Sequence, residues 1–175
     1  MQLIRCTAKL QKEMGLKKSD LVETEPPFSY LGSWHANLIH IDGRKCILFA
    51  NDKTLFNFIV PDVARADIKK LDVLFRQYLR CVLIEEDIDT TNIERIMNEY
   101  DEIAYAKTDS KSVLGSINDL AFNYKYHIQA EGGVHGCSVP GVIRRMNRMP
   151  MGAIKYCQAI EALKAMYKNV AGSSS

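Results

Sequence analysis

The sequence has no apolar run near the roughly 20 residues that a membrane-spanning helix needs, so nothing in it reads as a bilayer segment. Cysteine chemistry is sparse as well. The five cysteines, Cys6, Cys46, Cys81, Cys137 and Cys157, are odd in number, widely scattered and without a C-x-x-C pair. That pattern disfavours both a disulfide framework and a zinc knuckle, and reduced, mostly buried thiols are the expectation. The opening MQLIRCTAKLQKEMG lacks the apolar centre and cleavage site of a secretory signal, so the expected compartment is cytoplasmic. Specific catalytic signatures are missing too. There is no G-x-S-x-G, no S-x-x-K, no P-loop and no G-x-G-x-x-G, and neither a cofactor nor a metal is expected.

What is present is an ordinary folding composition. With 47% hydrophobic against 25% charged residues, the chain has far more apolar content than a disordered one. Its 175 residues suit one compact domain that buries about two-thirds of its unfolded surface. The net charge of +2 conceals an asymmetry: residues 124–175 carry seven Lys or Arg against Glu131 and Glu161, and the body before them is acidic. A basic tail on an acidic body suits nucleic acid, an acidic partner or a segment that docks on its own body.

Along the chain, Gln2 to Cys6 reads as a first strand, with Thr7 as cap of a short helix carrying Leu10 and Met14. SWHANLIHI, RKCILFA and KTLFNFIV, punctuated by Asp42-Gly43 and Asn51-Asp52, read as a three-stranded antiparallel meander. Alternation sets Trp34, Ala36 and Leu38 on one side of the first run and His35, Asn37, Ile39 and Ile41 on the other. After Pro61 and Asp62, a cap candidate, Ile68, Leu71, Leu74, Phe75, Leu79, Val82 and Leu83 recur at three- and four-residue steps, the strongest helix signal in the chain. Thr90 or Thr91 starts another helix, and Ile103 and Tyr105 fit a return strand. The expected fold is α+β: an antiparallel sheet of about four or five strands covered mainly on one face by amphipathic helices, with a helical C-terminal extension. Residues 1–123 form the expected core domain, 124–171 a basic helical extension packed on it, and 172–175 a disordered tail.

KTDSKSVLGSIND, Lys107 to Asp119, is a strand-to-helix junction whose Lys107, Thr108, Ser110 and Ser112 suit both capping and an anion at a helix N-terminus. Gly115 inside this helix costs about 1 kcal/mol against Ala. Close packing on the sheet, or the approach of a ligand to the backbone, would give it a reason. Asn118 and Asp119 are placed to pair with Arg44 or Lys45 across the sheet. In the tail, EGGVHGCSVPGVIRRMNRMPMG offers a glycine loop, Ser138 as cap, Pro140 in the first turn and Arg144, Arg145 and Arg148 on a helix, a candidate for phosphate or nucleic acid. His135 and Cys137 are too isolated a pair for a metal site.

The early QLIRCT, the block WHANLIHIDGRKCILFANDKTLFNF and the block KTDSKSVLGSINDLAF resemble an uncharacterised bacterial family, a domain of unknown function related to plasmid-encoded small open reading frames. The resemblance covers about residues 1–123. Its pattern falls here on Trp34, Asn37, Leu38, Ile41, Asp42, Arg44, Cys46, Leu48, Phe49 and Ser112 to Asp119. It implies no activity. It does imply a link to mobile elements and directs attention to one candidate surface: Asn37, Asp42, Arg44 and Lys45 with Lys107, Thr108, Ser112, Ser116, Asn118 and Asp119. The leading expectation is a non-enzymatic binding protein that engages a protein partner or a small anionic ligand. Nucleic-acid binding through Arg144, Arg145 and Arg148 is the alternative, and a phosphoester or acyl hydrolase with Asp119 or His35 as base is the third.

Overall fold

The computed structural model describes residues 1–27 and 29–171; the expected disordered tail, 172–175, lies outside the described residues. In chain order the first half contains β1 (Gln2–Cys6), α1 (Ala8–Met14), β2 (Trp34–Ile41), β3 (Arg44–Asn51), β4 (Asn57–Val60), α2 (Arg65–Ile68) and α3 (Leu71–Glu85). Then come α4 (Thr90–Glu99), β5 (Ile103–Lys107), α5 (Lys111–Ala130), α6 (Val139–Met146), a small hairpin of β6 (Pro150–Met151) and β7 (Cys157–Gln158), and α7 (Ala159–Ala171).

The meander forms where its turn residues place it. Asp42 and Gly43 take φ of 53° and 76°, the two left-handed positions that a two-residue hairpin loop needs to match strand twist. Ile41 then faces Arg44, and β4 adds antiparallel to β3 with Phe49 opposite Phe58. Between these strands the Asn51 side chain ties the turn, its Oδ1 accepting from the Lys53 and Thr54 amides at 3.1 and 3.0 Å. The other two strands join differently. β1 runs parallel to both β2 and β5, giving the order β4-β3-β2-β1-β5. The α+β class therefore stands, with an antiparallel meander inside a mixed sheet. Both parallel ladders follow long connections, 7–33 and 61–102, which return the chain to the same end of the sheet before the next strand begins.

Both faces of this sheet are covered. On one, Phe75 of α3 lies 5.2 Å from the Trp34 and Phe49 rings, and Trp34 donates through Nε1 to Tyr100 Oη at 2.8 Å. On the other, α5 packs along β2, and Tyr124 Oη donates to Asn57 Oδ1 at 2.7 Å. The expectation of cover mainly on one face gives way because Leu48 and Ile59 point to that second side and are fully buried there.

Caps differ in detail from expectation. Asp62 sits in a loop at φ 50°, and the helical stripe begins as the single turn α2 before α3. Asp89, one residue before Thr90, caps α4 by accepting from the Asn92 amide. Ser110 and Ser138 cap α5 and α6 as their sequences indicate. Position 123, the expected end of the core, falls inside the continuous helix α5. Asn147, just after α6, reaches the outer edge of β4. Its Oδ1 accepts from the Asn57 amide at 2.9 Å and its Nδ2 donates to the Asn57 carbonyl at 2.7 Å. An edge strand that would otherwise present open backbone is closed at that residue by one side chain.

Candidate functional site

The residues singled out in sequence are distributed over several places. Around the β2–β3 hairpin, Asp42 accepts from Gln129 Nε2 at 3.0 Å and Arg44 pairs with Asp62 at 3.0 Å. Lys45 pairs with Glu13, and this hydrogen bond holds the Glu13 carboxyl below its usual range. The expected pairing of Asn118-Asp119 with Arg44 or Lys45 is thus replaced by nearer partners, Asp62 and Glu13. Asn37 accepts from Thr7 Oγ1 at 3.1 Å at the head of α1. Ser112, Asn118 and Asp119 are exposed on α5, and Ser116 Oγ merely donates to the Ser112 carbonyl at 3.3 Å. A Cβ built on Gly115 meets nothing within 4 Å, so close packing does not account for that glycine.

Lys107 lies beside a residue that sequence reasoning passed over. Arg5, on β1 and 7% exposed, is fixed by Glu25 at 2.5 Å, Asp109 at 3.1 Å and Asp52 at 3.6 Å. Lys107, Arg5, Lys18 and Asp109 line a cavity of about 180 Å³ here. Thr108 is half-buried at the same junction. Glu25, Asp109 and Asp52 thus engage this one buried guanidinium, with Lys18 and Lys107 at the same cavity. His35 belongs to the same network through Nδ1 and Asp52 Oδ1 at 2.5 Å. It is 1% exposed and its Nε2 has no hydrogen-bond partner. Closed off in this way, it presents no base to a substrate.

The basic tail is engaged within the chain. Arg148 grips Glu86, which is 2% exposed, through two bonds of 3.0 and 2.6 Å, and that pairing raises the Arg148 pKa further. Arg144 Nη1 donates to the Glu85 carbonyl at 2.8 Å, and Arg145 pairs with Glu131. The glycine loop is a tight turn: a Cβ on Gly136 would stand 2.3 Å from the Gly132 carbonyl oxygen. At the start of α6, Pro140 has no N–H and the Gly141 N–H already meets Ser138 Oγ at 3.2 Å. Little remains there to cradle a phosphate. His135 Nε2 lies 3.2 Å from Asp62, and among the described residues no group of three or more His, Cys, Asp or Glu is placed to hold a metal.

A larger concavity lies where α6 meets α3 beside the edge of β4. It encloses about 510 Å³. Its walls are Ile59, Tyr78, Val82, Val139, Pro140 and Ile143, with Cys81, Glu85 and Arg144 also lining it. Cys81 and Glu85 are exposed. The pairing of buried Glu86 with partly exposed Arg148 ties the end of α6 to the end of α3. In sequence these residues read as helical stripe and basic face; no local pattern indicates that two such stripes stop short of each other.

A model of a family described as a domain of unknown function (DUF6933) matches residues 3–162. The chain belongs to this family. No curated protein and no solved structure matches it. The match runs well beyond the blocks that carry the sequence resemblance and takes in α6, so both walls of the 510 Å³ pocket lie within the family's domain. Among the described residues no helix is long and apolar enough to cross a membrane.

Proposed function

We propose that the protein is a non-enzymatic binding protein and that the pocket between α3 and α6 receives an apolar group of its ligand or protein partner. The supporting observation is the pocket itself: its volume, about 510 Å³, falls in the range of small-ligand sites, and its walls are predominantly aliphatic and aromatic. Catalysis gains no comparable support. Among the described residues no histidine lines the pocket, and Glu86 is committed to Arg148. Nucleic-acid binding loses force because Arg144, Arg145 and Arg148 already satisfy partners on their own chain. The five thiols are all unpaired, in keeping with a reducing compartment, which we take to be the cytoplasm.

The test uses the apolar fluorophore anilinonaphthalene sulfonate. Saturable one-to-one binding to the native protein is expected, and Val139→Trp, which places an indole at the half-buried mouth, should abolish it while leaving the urea midpoint within experimental error. Undiminished binding to the folded variant, or no binding to the native protein, would overturn the reading.

A further inference from the structure

Helix α5 buries one side and leaves the opposite side bare. Ile117, Leu120, Tyr124 and Ile128 form its buried stripe, and at about 3.6 residues per turn Gly115, Phe122 and Tyr126 fall opposite it, on the outward face. Phe122 is 72% exposed and Tyr126 62%. Among the described residues they are the one pair of exposed large apolar side chains a single turn apart on one helix. Two turns before Phe122, Gly115 leaves the backbone open, for a Cβ there would meet nothing within 4 Å. No contact inside the chain accounts for a residue that weakens its own helix. Lys111, one turn earlier, and Asn118 and Asp119, between the glycine and the phenylalanine, are exposed as well. No hydrogen bond or ion pair engages their side chains among the described residues.

The order of these residues along the helix is self-complementary. When two copies of α5 pack antiparallel about a two-fold axis between positions 118 and 119, Phe122 of each lies over the partner's Gly115, Tyr126 over the partner's Lys111, and Asn118 beside the partner's Asp119. Each pairing is favourable. A ring enters a notch of bare backbone, an ammonium meets an aromatic ring, and an amide donates to a carboxylate. Packed parallel and in register, the same face would set Lys111 on Lys111 and Asp119 on Asp119, like charge on like. We infer that the outward face of α5 is a self-association surface whose occupant is a second copy of this chain, bound antiparallel with Phe122 seated on the partner's Gly115. The glycine admits the ring to the backbone. None of these residues lines the pocket between α3 and α6, so the inference stands apart from the reading of that pocket. The paired face, Lys111 to Tyr126, is about 22 Å long, and one helix of that length buries less than the roughly 1,200 Å² at which stable interfaces begin. The dimer is therefore weak, with a dissociation constant on the order of 10–100 µM. At about 1 µM, where unfolding is followed, the chain is a monomer and a change at Gly115 acts on its helix alone.

Sedimentation equilibrium of the full chain from about 5 to 500 µM tests this in four proteins: wild type, Gly115→Phe, Phe122→Gly, and the double variant carrying both changes. The double variant exchanges ring and notch and keeps the composition of α5, so its helix propensity is unchanged. Wild type should approach twice the monomer mass at the top of the range. Each single change should weaken the dimer at least about tenfold, Gly115→Phe by setting ring against ring and Phe122→Gly by removing the ring. The double variant should return to within about threefold of wild type, and fluorescence of the buried Trp34 checks that all four are folded. A wild type that stays monomeric throughout, a dimer that survives either single change, or a double variant as weak as the single ones would overturn the assignment.

Discussion

Replacing Asn147 with Leu keeps the size of the side chain and removes its amide. Asn147 is fully buried and makes three bonds: with the Asn57 N–H at 2.9 Å, the Asn57 C=O at 2.7 Å and the Ile143 C=O at 3.0 Å. The Ile143 carbonyl keeps its helical bond to the Asn147 amide, so the main loss falls on Asn57. Two buried backbone groups without partners cost about 1–3 kcal/mol each, and partial relaxation of the strand brings the sum to about 3 kcal/mol. For a chain of this size that lowers the melting temperature by about 6–12 °C. Urea unfolding followed by fluorescence of Trp34, the single tryptophan, which is fully buried, reads the change. Hydrogen exchange at the Asn57 amide should accelerate in step. A loss below about 1 kcal/mol with an unchanged denaturant slope would refute the argument that one side chain closes the edge of β4.

Arg148→Ala strands the buried Glu86 carboxylate; with Arg148 itself one-third exposed, solvent relieves part of the penalty, and a loss of about 2–3 kcal/mol by urea unfolding is expected. Arg145→Ala, at an exposed pair, should cost under about 1 kcal/mol, and equal effects at the two positions would contradict the distinction. Gly115→Ala, on the exposed side of α5 with open space for the new methyl, should stabilise by about 1 kcal/mol in the same assay. Any destabilisation would mean that the backbone there needs glycine. Burial raises the Glu99 pKa above its ordinary 4.5, with only partial relief from the Leu31 amide. The folded state thus holds that proton more tightly than the unfolded state, and stability falls as pH rises from about 4.5 through the raised value. Glu99→Gln should remove that part of the slope; parallel stability–pH curves for wild type and variant would contradict it.

Local chemistry made much of the architecture legible. Asp42-Gly43 suits a tight two-residue turn, so the facing ends of β2 and β3 were legible and their outer ends fell within one residue, and alternation along Trp34–Ile41 separated the two faces. Ser110 and Ser138 declared their helices because each offers an oxygen to a free amide. Less visible was how the ends of the sheet are used. Nothing local in QLIRC distinguishes a strand that pairs antiparallel from one that runs parallel between β2 and β5, since that choice is made by the length of the connections. The arginines illustrate a second limit. Arg144, Arg145 and Arg148 read as a solvated or ligand-facing cluster, yet their partners, Glu85, Glu131 and Glu86, include two residues some 60 positions away. The pocket is hidden for the same reason. Tyr78, Val82, Val139 and Ile143 have the spacing of core residues, and only the placement of α6, tied to the body by Glu86–Arg148 and Asn147, turns two apolar stripes into the walls of a site.

The most direct test of that site is a titration of anilinonaphthalene sulfonate into protein carrying ¹³C-labelled Ile and Val methyls. The account predicts saturable shifts at Ile59, Val82, Val139 and Ile143, with Ile4 and Ile117, which do not line the pocket, unmoved. Shifts centred elsewhere, or none at saturating probe, would contradict the claim that the α3–α6 pocket is where this protein binds.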